Sequence, residues 1–325
     1  MAASARPAAA ATTTSGKSRS DKESPATRGF LQVLMTYKHF TTTTAALHFR
    51  VALLALLLAV AGAAGAQGNA KQGEYLVKAG GCIGCHTDNK EAAVPFAGGR
   101  ALKTPFGTFY GPNITPHPQA GIGRWSEADF VRAMRHGVRP DGANYFPAFP
   151  YPSFTKISDQ DLRDIWAYLR TLPPDARASQ EHDLGLFFRW RPLLSVWKWL
   201  FFTPGEFKAD AGATPVVNRG AYLTQALGHC GECHTPRNIL GGPKLGRYLA
   251  GGKGPEGKTV SNLTPTRLKK LTDGELKDFL TLGLTADGDV PAEAMGEVIR
   301  NTTSKLLPED LAALIAYLRT LPPIE

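Results

Sequence analysis

The chain has 325 residues, 43% of them hydrophobic, and a formal charge of +9, which is length for two ordinary domains and enough apolar content for globular cores. Seven of the 37 Lys/Arg and two of the 28 Asp/Glu precede Gln67, so the remainder holds 30 basic and 26 acidic side chains, a balance of only +4. That weak excess removes the main support for a nucleic-acid partner.

Residues 1–45 are rich in Ala, Thr and Ser, lack apolar periodicity and end in the tract Thr41 to Thr44. Such a segment cannot build a core and reads as a disordered extension. Lys38, His48 and Arg50 then precede the apolar run Val51 to Val60 and the small residues Ala64-Gly65-Ala66. This is the order of a secretory signal, cleaved before Gln67. Val51 to Ala66 is 16 residues, where a bilayer span needs about 20; an uncleaved anchor is the alternative. A long extension is unusual ahead of such a signal, so translation is expected to start at Met35 and the mature protein to be exported.

From Gln67 the sequence divides into a first domain (67–174), a linker (175–215) and a second domain (216–325). The two domains are copies. Gly73-Glu74-Tyr75-Leu76 answers Gly220-Ala221-Tyr222-Leu223, and Cys82-Ile83-Gly84-Cys85-His86-Thr87 answers Cys230-Gly231-Glu232-Cys233-His234-Thr235. Ala97-Gly98-Gly99 answers Ala250-Gly251-Gly252, Asn113-Ile114-Thr115-Pro116 answers Asn262-Leu263-Thr264-Pro265, and Ala167 to Pro174 recurs unchanged as Ala316 to Pro323. A repeat of about 149 residues is too long for a solenoid and right for a duplicated domain.

Each copy predicts helices joined by Gly- and Pro-rich loops. A short helix leads into the cysteine motif and stops near Gly80-Gly81 in the first copy. The next starts at a capping box, Ser126-x-x-Asp129 or Thr272-x-x-Glu275, and ends at Gly137 or Gly283. The last places Leu162, Ile165, Trp166 and Leu169 on one face, matched by Leu311, Leu314, Ile315 and Leu318. No run of alternating strands stands out, so the expected class is all-α. In the linker, Trp190, Leu193, Leu194, Trp197, Leu200 and Phe201 share a helical face. Two readings stand for it: a helix packed over both domains, or a docking surface across 184–203 for a partner protein or a membrane interface.

All four cysteines lie in two Cys-x-x-Cys-His motifs. In that motif both thiols add to the vinyl groups of one haem and the histidine becomes the proximal iron ligand. A single zinc site would need the pairs together, yet 144 residues separate Cys85 from Cys230, against roughly 15 to 20 in a zinc ribbon. A thioredoxin-like pair lacks its βαβ context, and a disulfide across two residues would be strained. The expectation is two covalently bound haems c, on Cys82, Cys85 and His86, and on Cys230, Cys233 and His234.

A distal ligand is harder to assign. Met295, in the loop before the last helix, is the candidate for the second haem. Its counterpart in the first copy is Phe146 or Phe149, depending on where a three-residue gap falls. Met134 sits inside a predicted helix, and His117, His136 and His182 read more simply as surface or loop residues. The first iron is five-coordinate or ligated by a residue that the sequence does not identify.

With Gly80 to Thr87, Pro95 to Gly99, Thr104 to Thr108, Asn113 to Gly123, Tyr145 to Phe154 and Asn218 to Asn238, the chain resembles the cytochrome c subunits of bacterial membrane-bound alcohol, aldehyde and gluconate dehydrogenases. The resemblance implies two tandem class I cytochrome c domains joined by the aromatic-rich linker, periplasmic haem attachment, and electron transfer from an oxidoreductase catalytic subunit toward quinone or a terminal oxidase. It also implies Met295 as an iron ligand. Two departures stand out: such subunits commonly carry three haems, and many have Tyr-Pro-Ala-Met-Pro-Tyr where this chain has Phe146 to Tyr151. No catalytic triad, phosphate loop or carboxylate pair stands out, so the leading role is an electron carrier without a substrate of its own. The rivals are a dihaem enzyme of the peroxidase or thiosulfate-oxidising type with an open first haem, and a small-ligand sensor.

Overall fold

The computed structural model describes residues 67–254, 257–285, 291 and 293–325; the expected extension, start codon and export signal fall outside them. Ala66–Glu325 form one compact unit. No described helix is long and apolar enough to cross a membrane.

In the first copy, α1 (Ala70–Ala79) starts where Asn69 Oδ1 accepts from the Lys71 and Gln72 amides, and stops at Gly80. The cysteine motif is itself a short helix, α2 (Cys82–His86). Next, α3 (Glu127–His136) opens on the expected Ser126–Asp129 box and closes on Gly137 at φ 59°, the left-handed conformation glycine adopts cheaply. After α4 (Tyr151–Phe154), α5 (Asp159–Leu169) buries Leu162, Ile165 and Leu169, while Trp166 stacks on Phe130 at 5.3 Å.

The linker holds α6 (Pro192–Phe201). The second copy follows as α7 (Pro215–Tyr222), α8 (Gly231–His234), α9 (Pro265–Leu268), α10 (Asp273–Leu282), α11 (Glu293–Asn301) and α12 (Pro308–Thr320). The Thr272–Glu275 box caps α10, and Gly283 at φ 72° ends it.

In both copies the first helix crosses the last at a glycine. A methyl at Gly73 would lie 1.8 Å from Asp164 O, and one at Gly220 1.9 Å from Ala313 O. Backbone contact this close admits no side chain, which explains why the glycine recurs.

The fold is predominantly helical, in keeping with the expected all-α class, and carries a few short strands that were not expected. Antiparallel β1 (Ala101–Thr104) and β2 (Gly107–Tyr110) form a hairpin closed by Pro105-Phe106, and β3 (Asp183–Leu184) of the linker adds to β2. β4 (Gly252–Lys253) pairs with β5 (Thr259–Val260). Strands of two to four residues are too short for a readable alternation. On the linker face Leu194 is buried with Phe109, Phe146 and Leu184, Leu193, Trp197 and Phe201 are half-buried, and Trp190 and Leu200 are exposed. That small cluster accommodates one face-forming leucine. Trp197 Nε1 donates to Leu240 O at 3.0 Å, so the linker touches both copies.

The copies are fused by an exchange. Tyr75 Oη of the first donates to Asp310 Oδ2 of the second at 2.5 Å and accepts from Leu307 N at 3.3 Å. Equivalently, Tyr222 Oη of the second donates to Asp161 of the first and accepts from Ser158 N at 3.1 Å. Each tyrosine therefore caps the other copy's last helix, as in an isologous twofold contact. The core continues across it, with Leu76, Val77 and Ala79 in one cluster with Tyr222, Leu223, Ala226 and Leu227.

The exchange is not symmetrical in charge. Arg219 grips Asp310 through Nε (2.7 Å) and Nη2 (2.6 Å), while the equivalent position in the first copy is Gln72. Burial pushes Asp310 up, but hydrogen bonds from Arg219 and Tyr75 outweigh it and hold the carboxyl below its usual range. Asp161 is pushed above that range by burial, which its bond from Tyr222 does not overcome.

Because the core is shared, urea should unfold the mature protein in one transition; separate transitions for the halves would refute the continuous core. Tyr75→Phe and Tyr222→Phe should each cost about 1–3 kcal/mol. Asp310 is held ionised in the folded state, so its stabilisation is present above the unfolded carboxyl pKa and is lost as pH falls through the lower folded value. The deficit of Asp310→Asn relative to wild type should therefore shrink on acidification, measured by urea titrations between pH 7 and pH 3.

Candidate haem sites

The two cysteine motifs are approached differently. Tyr75 and Cys82 are seven positions apart, Tyr222 and Cys230 eight. The first approach stays α-helical, with Gly80 N donating to Leu76 O at 2.7 Å; in the second, Gly228 N reaches back five residues to Leu223 O at 2.6 Å. The extra residue is absorbed in a π-helical turn, Leu223–Leu227, a common way of taking up a single insertion. Both approaches then pass through one left-handed residue, Gly81 at φ 63° and His229 at φ 38°.

Each motif is held by the same repeated residues. The threonine after the histidine anchors the next loop: Thr87 Oγ1 accepts from Phe96 N at 3.0 Å, and Thr235 Oγ1 from Leu249 N at 3.1 Å. The Ala-Gly-Gly triplets follow, with Gly98 N donating to His86 O and Gly251 N to His234 O, at 2.8 and 2.7 Å. In the Asn-x-Thr-Pro elements, Asn113 Nδ2 donates to Asp175 O and Arg177 O, and Asn262 Nδ2 to Ile324 O. Each asparagine thereby ties its loop to the segment leaving the last helix.

The residue before each asparagine faces the motif histidine. His86 Nδ1 lies 2.7 Å from Pro112 O, and His234 Nδ1 2.7 Å from Ser261 O. A carbonyl accepts only, so Nδ1 carries the proton and Nε2 keeps its lone pair for a metal. Burial lowers both imidazole pKa values, against the opposing backbone hydrogen bond, and favours the neutral form that ligation requires.

The cysteines suit covalent attachment. No disulfide joins the four. Burial first, and the neighbouring motif cysteine second, push Cys82 and Cys230 up to about 12; burial also raises Cys85. An uncharged thioether would occupy such places without burying a charge. Two buried polar atoms beside the motifs have no protein partner: Arg100 Nε, whose side chain acts electrostatically on Cys85, and Tyr248 Oη, whose ring packs on Gly231. Haem propionates are acceptors of the kind these donors lack, so the residues fit the group.

Both motifs border the interface between copies. Ser153 Oγ donates to Glu232 Oε1 at 2.6 Å, and the equivalent Thr302 stands against Gly81, where a methyl would lie 2.6 Å from its Oγ1. His229, which the sequence did not single out, is hydrogen-bonded to the Gly80 backbone and packs edge-on against Phe154 at 5.3 Å. It links the residues just before the two motifs. Its only signal in the sequence was a histidine standing where the first copy has glycine.

Met295 lies on helix α11 and not in the expected loop. It packs against the second core together with Cys230 and Tyr248. Of its two candidate counterparts, Phe149 packs on the first core together with Cys82, whereas Phe146 is buried in the satellite cluster beneath the hairpin. Phe149 therefore stands where Met295 does. Met134 is buried in the first core. His117 Nδ1 accepts from the Gln119 and Ala120 amides, His182 Nδ1 accepts from Tyr110 N, and His136 is exposed.

Residues 70–173 match the family described as Cytochrome c. A dihaem c-type cytochrome of Cereibacter sphaeroides is 45% identical over 266 residues, covering 81% of this chain and 89% of that protein. The cytochrome c subunit of gluconate 2-dehydrogenase from Pantoea cypripedii is 38% identical, and the cytochrome subunit of fructose dehydrogenase from Gluconobacter japonicus 35%; each match takes in 77% of this chain. The chain spans only 59% and 52% of those two proteins.

Gly81 and Gly84 make contrasting probes of the first motif. Gly81→Ala combines a left-handed backbone with the Thr302 contact and should cost about 1–3 kcal/mol. Gly84→Ala, whose methyl would meet only Asn301 Nδ2 at 3.7 Å, should be neutral or stabilise by up to about 1 kcal/mol. Urea denaturation of both variants checks the order, and equal effects would contradict the packing of Gly81 on Thr302.

Proposed function

This chain belongs to the cytochrome c family and transfers electrons through covalently bound haem c, and from that premise we propose that it is an exported dihaem carrier, the cytochrome partner of a dehydrogenase. The count of two rests on one observation: a complete attachment geometry, two thiols, a histidine and a carbonyl on its Nδ1, occurs once in each copy. The dehydrogenase partner rests on the names of the relatives, and export on the signal pattern of residues 38–66. Quinone or a terminal oxidase is the proposed acceptor.

Haem held at these motifs would supply a one-electron iron couple. The protein's own contribution is positional. His86 and His234 present Nε2 as proximal donors, Cys82, Cys85, Cys230 and Cys233 anchor the macrocycles, and Met295 offers a thioether as distal ligand at the second site. The shared core fixes the two motifs in one frame, so transfer between them needs no domain motion.

Phe149 favours a second reading for the first site, because phenylalanine has no donor to offer a metal. An iron there would keep an open position and could bind substrate, as in a dihaem peroxidase or thiosulfate-oxidising enzyme. The discriminating experiment is the optical and EPR spectrum of the purified mature protein before and after cyanide, peroxide or thiosulfate. Two low-spin haems indifferent to all three are the carrier's result; a high-spin haem that turns over peroxide or thiosulfate would establish the enzyme.

The pyridine haemochrome should report two haems per chain, falling to one when Cys82 and Cys85 are both replaced by serine. Met295→Ala should change the spectrum of the second haem and lower its potential, since methionine with histidine is the ligand pair that raises it. An unchanged potential would remove Met295 from the ligand set.

A further inference from the structure

The linker helix and the loop after the second motif together form a surface that electron transfer within the protein does not use. Residues 184–205 and 236–248 contain six cations, Arg189, Arg191, Lys198, Arg237, Lys244 and Arg247, and no Asp or Glu. The two segments meet in space. Trp197 Nε1 donates to Leu240 O, and a methyl at Gly242 would lie 2.5 Å from the Phe201 ring. A shallow depression of about 260 Å³ between them is lined by Trp199, Leu200, Phe201, Phe202, Pro243 and Leu245.

On these two segments large apolar side chains project into solvent, Trp199 and Leu245 at the depression itself. Trp199 is 83% exposed, Ile239 95% and Leu245 71%, and Leu186 stands out in the same way at 87%. Four large apolar side chains this exposed on two adjoining segments are a marked feature on a protein surface. The carboxylates that reach the surrounding cations are few. Asp183 is 4.0 Å from Arg189, Glu232 pairs with Arg237, and the chain terminus accepts from Arg247. Arg191 donates to Asn144 O, and Lys198 to His136 O and Asn144 Oδ1, all neutral acceptors, so the two segments keep a net positive charge.

We propose that this surface docks the protein on an anionic lipid bilayer, with Trp199, Ile239 and Leu245 inserted among the headgroups and the net positive charge of the two segments, Lys244 foremost, attracted by the lipid phosphates. Three observations favour lipid over a protein partner. The apolar groups project and do not line a deep groove, tryptophan and aliphatic tips suit the headgroup boundary, and two carboxylate-free segments match a negative surface. α6 has ten residues, about 15 Å of helix, so it lies on the bilayer and does not span it.

The test is flotation of the mature, haem-loaded protein with vesicles of phosphatidylcholine alone or mixed with phosphatidylglycerol. Binding is expected only to the mixed vesicles, weakening at least tenfold between 50 and 500 mM salt, on the order expected when several charges are screened. Trp199→Ser combined with Ile239→Ser should abolish binding while the visible spectrum of the haems stays unchanged. A charge variant, Lys244→Glu, should weaken binding with the apolar tips intact. Failure to bind the mixed vesicles at low salt would overturn the proposal, as would equal binding by the double variant. Loss of a co-purifying dehydrogenase subunit from the double variant, without vesicle binding by wild type, would assign the surface to a protein and equally overturn it. The haem spectra are read in the same samples, so a failed docking proposal is distinguishable from a failed dihaem assignment.

Discussion

Tyr75 and Tyr222 occupy the same place in two copies of one fold, and each leaves its own copy to bond the aspartate that opens the last helix of the other. Both hydroxyls also accept from the backbone amide at that helix start. Withdrawing one copy would take from each tyrosine its carboxylate and amide partners, and would leave Asp310 with Arg219 but Asp161 without its phenol. Much else accompanies this exchange. It goes with a core that holds Leu76 and Leu227 together, a bond between His229 and the Gly80 backbone, and each motif region set on the other copy's residue, Ser153 or Thr302. Two copies of one fold thereby become one body with the cysteine motifs at its seam.

Duplication has preserved the frame and altered the details. Arg219 answers Gln72, so one aspartate of the exchange is held ionised and the other is pushed toward its neutral form by burial. One inserted residue turns the approach to the second motif into a π-helical turn, and His229 takes the left-handed position that Gly81 holds in the first. Phe149 stands where Met295 does. These differences cluster around the motifs and the seam between them. The helix crossings at Gly73 and Gly220 are nearly identical. A carrier with two distinguishable sites on a common scaffold has this form: the scaffold is kept and the ligand shells diverge.

Much of this was legible in the sequence, because the signals were local. Capping boxes, the closing glycines and the apolar periodicity of the last helices depend on neighbours within a turn or two, and the structure places all of them where the pattern did. The cysteine motifs were equally plain. Legibility ended where long-range packing decides. The hairpin at Ala101–Tyr110 was too short to show alternation, Met295 was expected in a loop where the chain is helical, and Phe146 and Phe149 were separable only once their clusters were known. The Tyr–Asp exchange was available only in part: all four residues recur at matching positions, but nothing local says that each tyrosine bonds the opposite copy.

The two haems proposed for this seam should exchange electrons within the chain. The most direct test is photoreduction of one haem in the fully oxidised mature protein, followed by optical detection of redistribution to the other. A fixed seam predicts a redistribution whose rate is independent of protein concentration and insensitive to viscosity. A rate that rises in proportion to protein concentration would mean that electrons move only between molecules, and would contradict it.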